Sequence, residues 1–302
     1  MCIRDRDSWD QQRITDLAVR TDALDADKAN LSVQLQVEQA DKAGTQQVVI
    51  DVRDPDGKTV AQIKRDVALA PGENNLSLPL QIDKPRRWWP VGYGAQDRYT
   101  VQARLGEGKQ SALESSIRIG LRTVQLQREE DKDGGQGFGF VINGVPVFAK
   151  GANVIPFDAF PARVTRERLR RDLQAARDAN MNMLRNWGGG YYEDDAFFDI
   201  ADELGLLVWQ DFMFGGGMQP GYAPAFRANV VAEARDNIRR LRHHPSIVLW
   251  CGNNEEETAW KDWGHGKTLK EADPVFAAKV WQGYVDLFGK DLRSVVAEEG
   301  LG

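Results

Sequence analysis

Apolar and polar residues alternate along the first third of the chain, with the period of two that a strand buried on one face requires. The alternation is clear in residues 33–37, 76–82 and 99–105, and turn-forming residues such as those at 54–57 separate the runs. Short strands divided by turns at this spacing predict an immunoglobulin-like β-sandwich over residues 13–126.

From about residue 127 the apolar residues recur every three or four positions between short apolar runs, which indicates helices alternating with strands. The run 145–149 is the first predicted strand, and 181–187, 206–209 and 246–251 are the next three. Almost continuously apolar strands are expected where helices cover a parallel sheet. The order fits half of a (β/α)8 TIM barrel or an open doubly wound sheet.

Glycine-rich segments distinguish between these two folds. The chain has no G-x-G-x-x-G or G-x-x-x-x-G-K-[ST] motif, so a nucleotide-binding sheet is not indicated. Residues 188–190 and 215–217 are glycine triplets that follow the second and third predicted strands, where barrels place the loops of their active face. The predicted fold is therefore multidomain, β followed by α/β: an immunoglobulin-like β-sandwich and then the first half of a TIM barrel, over residues 127–302.

Composition narrows the function classes. The net charge is −6, with both signs mixed along the chain, which argues against nucleic acid as a partner. No apolar run reaches the roughly 18 residues that a membrane-spanning helix needs. The three histidines and two cysteines lack the spacing of metal ligands, so no metal and no cofactor is predicted. Nine tryptophans in 302 residues make stacking on a sugar a reasonable hypothesis.

Asn254 and Glu255 directly follow the fourth predicted strand, at the edge where a barrel carries its catalytic groups. Glycoside hydrolysis needs one carboxyl group that protonates the leaving oxygen and a second that attacks or activates water. Burial and nearby like charge keep such a donor protonated, so we expect Glu255 to be buried beside Glu256 and Glu257. A solvated acidic helix start remains the alternative interpretation of these residues.

Several long motifs, in order, resemble glycoside hydrolase family 2 and specifically its β-mannosidase branch. The resemblance covers about residues 8–290. Its motifs lie at residues 87–94, 140–153, 179–193, 207–213 and 244–255.

The resemblance implies a retaining, exo-acting enzyme with jelly-roll, immunoglobulin-like and barrel domains. Glu255 matches the family's acid/base, and Asn254 matches the residue that contacts the sugar's 2-hydroxyl group. Arg185 and Trp187 match pocket residues on the second barrel strand, and Trp263 matches a pocket-wall tryptophan. Asp211, at the end of the third strand, is also assigned to the substrate site, where hydrogen-bonded support is the expected role.

The second carboxylate is expected outside this sequence. In the family the nucleophile ends the seventh barrel strand, and units of about 30 residues place it beyond residue 302. Glu298 and Glu299 superficially resemble a nucleophile motif but are predicted to lie in a solvated turn. We therefore expect an internal, inactive piece of an enzyme, in which residues 1–12 combine a non-native start, at 1–6, with the remnant of a jelly-roll domain, at 7–12.

The predicted activity of the parent enzyme is hydrolysis of terminal, non-reducing β-D-mannose from an oligosaccharide or glycoside. An exo-β-glucosaminidase or another family 2 glycosidase is the alternative. A non-catalytic carbohydrate-binding module is the alternative from another class. Oligomeric state and cellular compartment stay open.

Overall fold

A computed structural model describes residues 9, 11–106 and 114–300. The described chain folds as two compact units: residues up to 87 together with 97–122 form the first, and residues 88–96 with 123–300 form the second. The domain boundaries predicted after residues 12 and 126 stay predictions. Most of the predicted jelly-roll remnant falls on residues 1–8 and 10, outside the described residues.

The first unit is a sandwich of two antiparallel sheets, with the strand orders β1-β2-β5 and β4-β3-β6-β7. Alternate residues of each strand face the common core, as Val33 and Leu35 do, because a period of two directs them all to one side. The strands are β1 Gln12–Leu24, β2 Lys28–Gln39, β3 Gly44–Arg53, β4 Thr59–Leu69, β5 Gly72–Asp83, β6 Tyr99–Leu105 and β7 Glu114–Ile119.

The second unit contains two sheets. A small antiparallel sheet has the order β10-β9-β8, and a parallel sheet has the order β11-β12-β13-β14. The antiparallel strands are β8 Val124–Gln127, β9 Gly139–Ile142 and β10 Val145–Val147; the parallel strands are β11 Gly151–Val154, β12 Met183–Asn186, β13 Leu207–Asp211 and β14 Ile247–Cys251.

The predicted first strand of the parallel sheet was wrong. The run 145–149 contains β10, which pairs antiparallel with β9, and the first parallel strand is instead β11. The apolar pattern missed β11 because three of its four residues are exposed.

Helices connect the parallel strands in sequence order. Thr165 caps α1 by accepting a hydrogen bond from the Arg168 N–H, and Gly205 ends α2 at φ 74°, both as the sequence predicts. No helix among the described residues is long and apolar enough to span a membrane. The helices are α1 Arg166–Asp178, α2 Asp195–Leu204, α3 Pro224–Leu241, α4 Glu256–Lys261, α5 His265–Ala272, α6 Pro274–Asp286 and α7 Leu292–Glu299, with a 3₁₀ turn at Pro161–Arg163 and a π-helical turn at Leu287–Asp291.

The prediction of a solvated turn at residues 298–299 was also wrong. Both residues belong to α7, and the Glu299 side chain is buried against arginines of α3. Three arginines gather on this one carboxylate, and no local pattern in the sequence indicates contacts some 60 residues apart.

Candidate active site

The carboxyl ends of the four parallel strands lie on one edge of the sheet, and the predicted site residues lie at or near that edge. Arg185 is the third residue of β12 and Asp211 is the last residue of β13. Asn254 and Glu255 follow β14 by three and four positions and precede α4. A parallel sheet thus brings side chains distant in sequence to a single edge, as barrels do.

Asp211 is fully buried, and both of its carboxylate oxygens accept hydrogen bonds. Oδ2 accepts from Arg185 Nη2 at 2.7 Å and from the Gly188 N–H at 3.0 Å. Oδ1 accepts from Arg185 Nε at 3.2 Å and from Trp209 Nε1 at 2.9 Å. The carboxylate therefore fixes Arg185 from two directions and also holds the first glycine loop.

Arg185 connects Asp211 to the residues that follow β14. The same Nη2 that binds Asp211 donates to Asn254 Oδ1 at 2.9 Å, and Asn254 Nδ2 donates to Glu255 Oε2 at 2.9 Å. The orientation of the Asn254 amide follows from this, since the guanidinium can only donate and must face the carbonyl oxygen. A continuous series of hydrogen bonds runs from Asp211 to the Glu255 carboxylate.

Glu255 departs from its predicted environment. We expected a buried side chain, but the structure exposes Glu255 and buries the next residue, Glu256, completely. The backbone explains the exchange: Glu255 has φ 57° and ψ 16°, a left-handed conformation that turns the chain sharply into α4. Non-glycine residues adopt this region at a cost, and such strain is concentrated at functional sites.

Two glycine loops pack together beside this series. The chain approaches so closely at Gly188 that a Cβ atom there would lie 2.7 Å from the Phe212 carbonyl oxygen, and one at Gly215 would lie 2.9 Å from Gly189 Cα. The second loop also binds the site directly, because Gly215 accepts a hydrogen bond from Asn254 Nδ2 at 3.3 Å.

The two predicted tryptophans lie against these loops. Trp187 is half-buried, and its ring covers Gly189 so closely that a Cβ atom there would lie 1.9 Å from it. Trp263 is 52% exposed, and its ring is 3.9 Å from where a Cβ atom on Gly216 would lie, a position 3.5 Å from the Asn254 carbonyl oxygen. The structure thus places Trp263 near Asn254, and Trp187 on the neighbouring loop.

A cavity of about 400 Å³ adjoins the site on the face of the parallel sheet. Arg185 and Trp209 line it, together with residues of β11 and Met183. The Trp209 ring also lies 5.4 Å from the Arg185 guanidinium, close enough for a cation–π contact. A larger hollow of about 920 Å³ between α4, α5 and α6 is lined by Trp260, Trp281 and three lysines, and borders none of the predicted site residues.

Sequence analysis missed three residues of this region: Trp209, Gln219 and Glu256. Trp209 holds Asp211, whereas Gln219 donates to Glu256 Oε1 at 3.2 Å. Burial raises the pKa of Glu256 to about 7, although hydrogen bonds from Gln219 act to lower it. Trp209 lies in the family motif at residues 207–213, which could have indicated its role. Nothing in the local sequence distinguishes Gln219 from an ordinary loop residue.

A group of potential metal ligands lies elsewhere in the second unit. The ligand atoms of Asp199, Asp202 and His244 are within 4.8 Å of one another, although the spacing of the histidines predicted no such arrangement. Protein groups already occupy Asp202: His244 Nδ1 lies 2.7 Å from Oδ2, and the Ser246 N–H donates to Oδ1 at 3.1 Å. Asp199 also pairs with Arg166 at 3.6 Å. These contacts fit a structural dyad.

Comparison with known proteins defines the family and the class of this fold. Residues 12–122 match the family model of the glycosyl hydrolases family 2, and residues 136–277 match the TIM barrel domain of the same family. The chain belongs to glycosyl hydrolases family 2. The predicted class, a β-sandwich followed by part of a TIM barrel, is thereby confirmed.

The similar proteins include several β-mannosidases. The chain is 38% identical to the mouse β-mannosidase over 95% of its own length and 32% of that protein. The crystal structure of β-D-mannosidase from Dictyoglomus thermophilum superimposes with a TM-score of 0.84 at 37% identity, covering 97% of this chain and 34% of that one. An exo-chitosanase from Amycolatopsis orientalis, complexed with PNP-β-D-glucosamine, matches at 25% identity and a TM-score of 0.66, over 80% of this chain and 28% of its own. The chain spans about a third of the length of these relatives.

Proposed function

We propose that this chain forms part of a retaining exo-β-mannosidase, in which Glu255 is the general acid/base. The hydrogen-bonded series from Asp211 through Arg185 and Asn254 to Glu255 carries the proposal, since it fixes one carboxylate at the active edge of a barrel sheet. Glu255 would protonate the leaving oxygen and then deprotonate water, while Asn254 contacts the sugar. Stacking on Trp187 and Trp263 would hold the apolar face of the sugar ring.

The substrate is tested with a longer enzyme that contains this chain. Its kcat/KM is measured on aryl β-mannoside, β-glucoside, β-galactoside and β-glucosaminide, and the anomer first released is followed by proton NMR. We expect preference for the mannoside and release of β-mannose. Preference for another sugar, or release of the α-anomer, would overturn the corresponding part of the proposal.

An exo-β-glucosaminidase is the second candidate within the family, favoured by the structural similarity to the exo-chitosanase. The same four substrates decide between the two, because this candidate predicts the highest kcat/KM on the glucosaminide.

We further propose that residues 1–302 alone do not turn substrate over. A retaining mechanism needs a second free carboxylate about 5 Å from the acid/base. Of the residues that end the four parallel strands, Asp211 is the one with a carboxylate, and its oxygens accept hydrogen bonds from Arg185, Trp209 and Gly188. Incubation with an activated aryl β-mannoside should release no aglycone above the rate of the Glu255→Gln variant. Turnover that this substitution abolishes would contradict the proposal.

If the chain does not catalyse hydrolysis, the alternative function is that of a non-catalytic sugar-binding module. Its half-exposed tryptophans would then bind mannose, and saturable quenching of tryptophan fluorescence that Trp263→Ala removes would favour it. Fluorescence unchanged at high millimolar mannose would count against it.

A further inference from the structure

Glu256 is a completely buried carboxyl group that the proposed chemistry does not use. It is the first residue of α4 and directly follows the proposed acid/base. Its backbone N–H donates to Asn253 Oδ1 at 3.2 Å, and its Oε1 accepts from Gln219 Nε2 at 3.2 Å. Oε2 has no hydrogen-bond partner among the residues the structure describes. Burying a carboxyl oxygen without a hydrogen bond costs free energy, so a group buried in this way calls for a structural or functional explanation.

The partner of Glu256 lies on the β13–α3 loop, residues 212–223, which also carries the second glycine triplet. Gln219 Nε2 donates a second time, to the Gly217 carbonyl oxygen at 2.9 Å. Nearer β13, the Phe214 carbonyl oxygen accepts from the Asn254 N–H at 2.9 Å, and the Gly215 carbonyl oxygen accepts from Asn254 Nδ2. The loop is thus attached at one end to Asn254 and at the other end to Glu256.

The ends of the loop are packed, since Phe212 and Phe214 join the core around Ile238 and Tyr222 joins the cluster around Trp260, but its glycine centre is not. Gly216 and Gly217 have φ values of 113° and 140°, which side chains of other residues rarely permit. Beyond them Met218 packs against the small apolar cluster around Trp260 and Val280. Two consecutive glycines lose much conformational entropy on ordering, and the contacts at Asn254 and Glu256 help to offset that cost.

We infer that Glu256 is a positioning residue, whose buried carboxyl group ties the β13–α3 loop to the start of α4 and so keeps Asn254 and Glu255 in place at the active edge. This inference rests on the proposed function only in taking the active edge to be the site that binds a sugar. The attachment itself is a property of the fold and can be measured without any sugar.

The protonation state of Glu256 gives the attachment a pH dependence. Burial raises its pKa to about 7, so the group is neutral in weak acid and costs little there. Above that pH an ionised carboxylate would lie buried with one oxygen unpaired, and the loop must loosen to hydrate it. The charged groups nearby are Glu255 and Glu257 on its own segment, the latter paired with Lys261. The titratable group on α6 is Tyr284, which stays neutral because burial raises its pKa.

The test follows the methyl signal of Met218 in the 302-residue chain labelled with ¹³C-methyl methionine, assigned through Met218→Leu, between pH 5 and 8.5. We expect the signal to shift with a midpoint near 7. Glu256→Gln keeps an acceptor for Gln219 but cannot ionise, so its signal should stay at the low-pH position throughout. Glu257→Gln, the exposed neighbour, is the matched control and should titrate as the unsubstituted chain does.

Two further variants remove the attachment itself. Glu256→Ala should displace the Met218 signal at every pH, and Gln219→Leu, which leaves Glu256 in place, should displace it already at pH 5.5. The inference is overturned if Glu256→Gln titrates like the unsubstituted chain, or if Gln219→Leu leaves the signal where it was. None of these readouts depends on hydrolysis, so a longer enzyme that proves inactive on β-mannosides would sink the proposed function and leave this result standing.

Discussion

At the scale of single residues, the site contains two carboxylates, Asp211 and Glu255, whose surroundings differ. Asp211 is buried and saturated with donors, so it acts by holding Arg185 in place. Glu255 is exposed, and its carboxylate accepts a hydrogen bond from Asn254 Nδ2. The first arrangement suits support, and the second suits a group that must meet a substrate and exchange a proton with it.

Asp211→Asn is predicted to destabilise the second unit. The substitution keeps the size of the side chain but leaves the Arg185 guanidinium, which is 23% exposed, without its counter-charge. Removing one partner of a buried ion pair costs about 3 kcal/mol of unfolding free energy. Urea unfolding measures this, with Glu271→Gln as the control, because its pair with Lys267 is exposed and should contribute less than about 0.5 kcal/mol. Equal effects of the two substitutions would contradict the assigned role.

The residues that sequence predicted and those it missed differ in a physical respect. Asn254 and Glu255 follow an apolar strand and Arg185 lies near the carboxyl end of one, so their place at the sheet edge is visible in the pattern itself. The burial of Glu256 depends on the left-handed backbone at Glu255, and no periodicity encodes that turn. Three consecutive glutamates look alike in sequence, and one backbone rotation decides which of them faces solvent.

At the scale of elements, the hairpin of β9 and β10 shows how a strong local signal can be overlooked. Asn143 and Gly144 connect the two strands, with φ values of 52° and 81°. Two positive φ values are characteristic of a tight hairpin turn, and Asn-Gly is its preferred sequence. An apolar run directly after Asn-Gly is therefore better interpreted as the second strand of a hairpin than as the first strand of a barrel.

Helix α7 is predicted to depend on Glu299. Its oxygens accept hydrogen bonds from Arg235, Arg239 and Arg242 at 2.9–3.1 Å. Glu299→Ala leaves three arginines facing each other and should cost about 3 kcal/mol of unfolding free energy. Glu298→Ala is the matched control, because the Glu298 side chain is 59% exposed and its ion pair with Arg235 lies at the surface. Hydrogen exchange of α7 amides would show faster opening in the first variant, and an unchanged rate would contradict the prediction.

The same contact should fail in acid. Burial alone would raise the pKa of Glu299, but hydrogen bonds and charge from Arg239 and Arg235 hold it below its usual range. Its stabilisation is therefore present above the unfolded pKa of about 4.5 and is lost as the pH falls through the lower folded value. The protection factors of the α7 amides, which correct for the slower intrinsic exchange in acid, should fall as the pH drops below about 4.5 in the unsubstituted chain, and the Glu299→Ala variant should lack that step.

At the scale of the whole molecule, two buried acids should make stability fall as pH rises. Burial raises the pKa of both Glu193 and Glu256 to about 7, so these two groups together hold two more protons in the folded chain than in the unfolded chain between about pH 4.5 and 7. At about 1.4 kcal/mol per pH unit, moving from pH 5.5 to 8 should cost roughly 2 kcal/mol for each group.

The variant Glu193→Gln/Glu256→Gln isolates this effect. His243 acts in the opposite direction below pH 6.5, because burial lowers its pKa to about 4. It is present in both proteins and cancels in their difference. Unfolding free energies from urea at pH 5.5 and 8 should therefore show a smaller loss on alkalinisation in the variant, and equal losses would show that these carboxyls do not titrate as described.

The final prediction concerns the two units. The core of the first contains residues of β1 to β7 and Leu121, whereas Trp88 is buried in a core of the second with Phe140 and Leu207, although it lies between β5 and β6 in sequence. Its Nε1 donates to the Asp202 carbonyl oxygen at 2.9 Å. Separate cores predict two urea transitions. Trp88→Ala should destabilise the second unit by about 3–5 kcal/mol.

The distinguishing measurement is which transition moves. Far-UV circular dichroism separates loss of the β-sandwich from loss of helix, so the helical transition should shift to lower urea in Trp88→Ala while the sandwich transition stays in place. Tyr93→Ala is the control within the same segment, because Tyr93 is 38% exposed and should shift neither. If the sandwich transition moves with the helical one, the segment 88–96 stabilises both units, and the division of the chain into two separately cored units does not describe its unfolding.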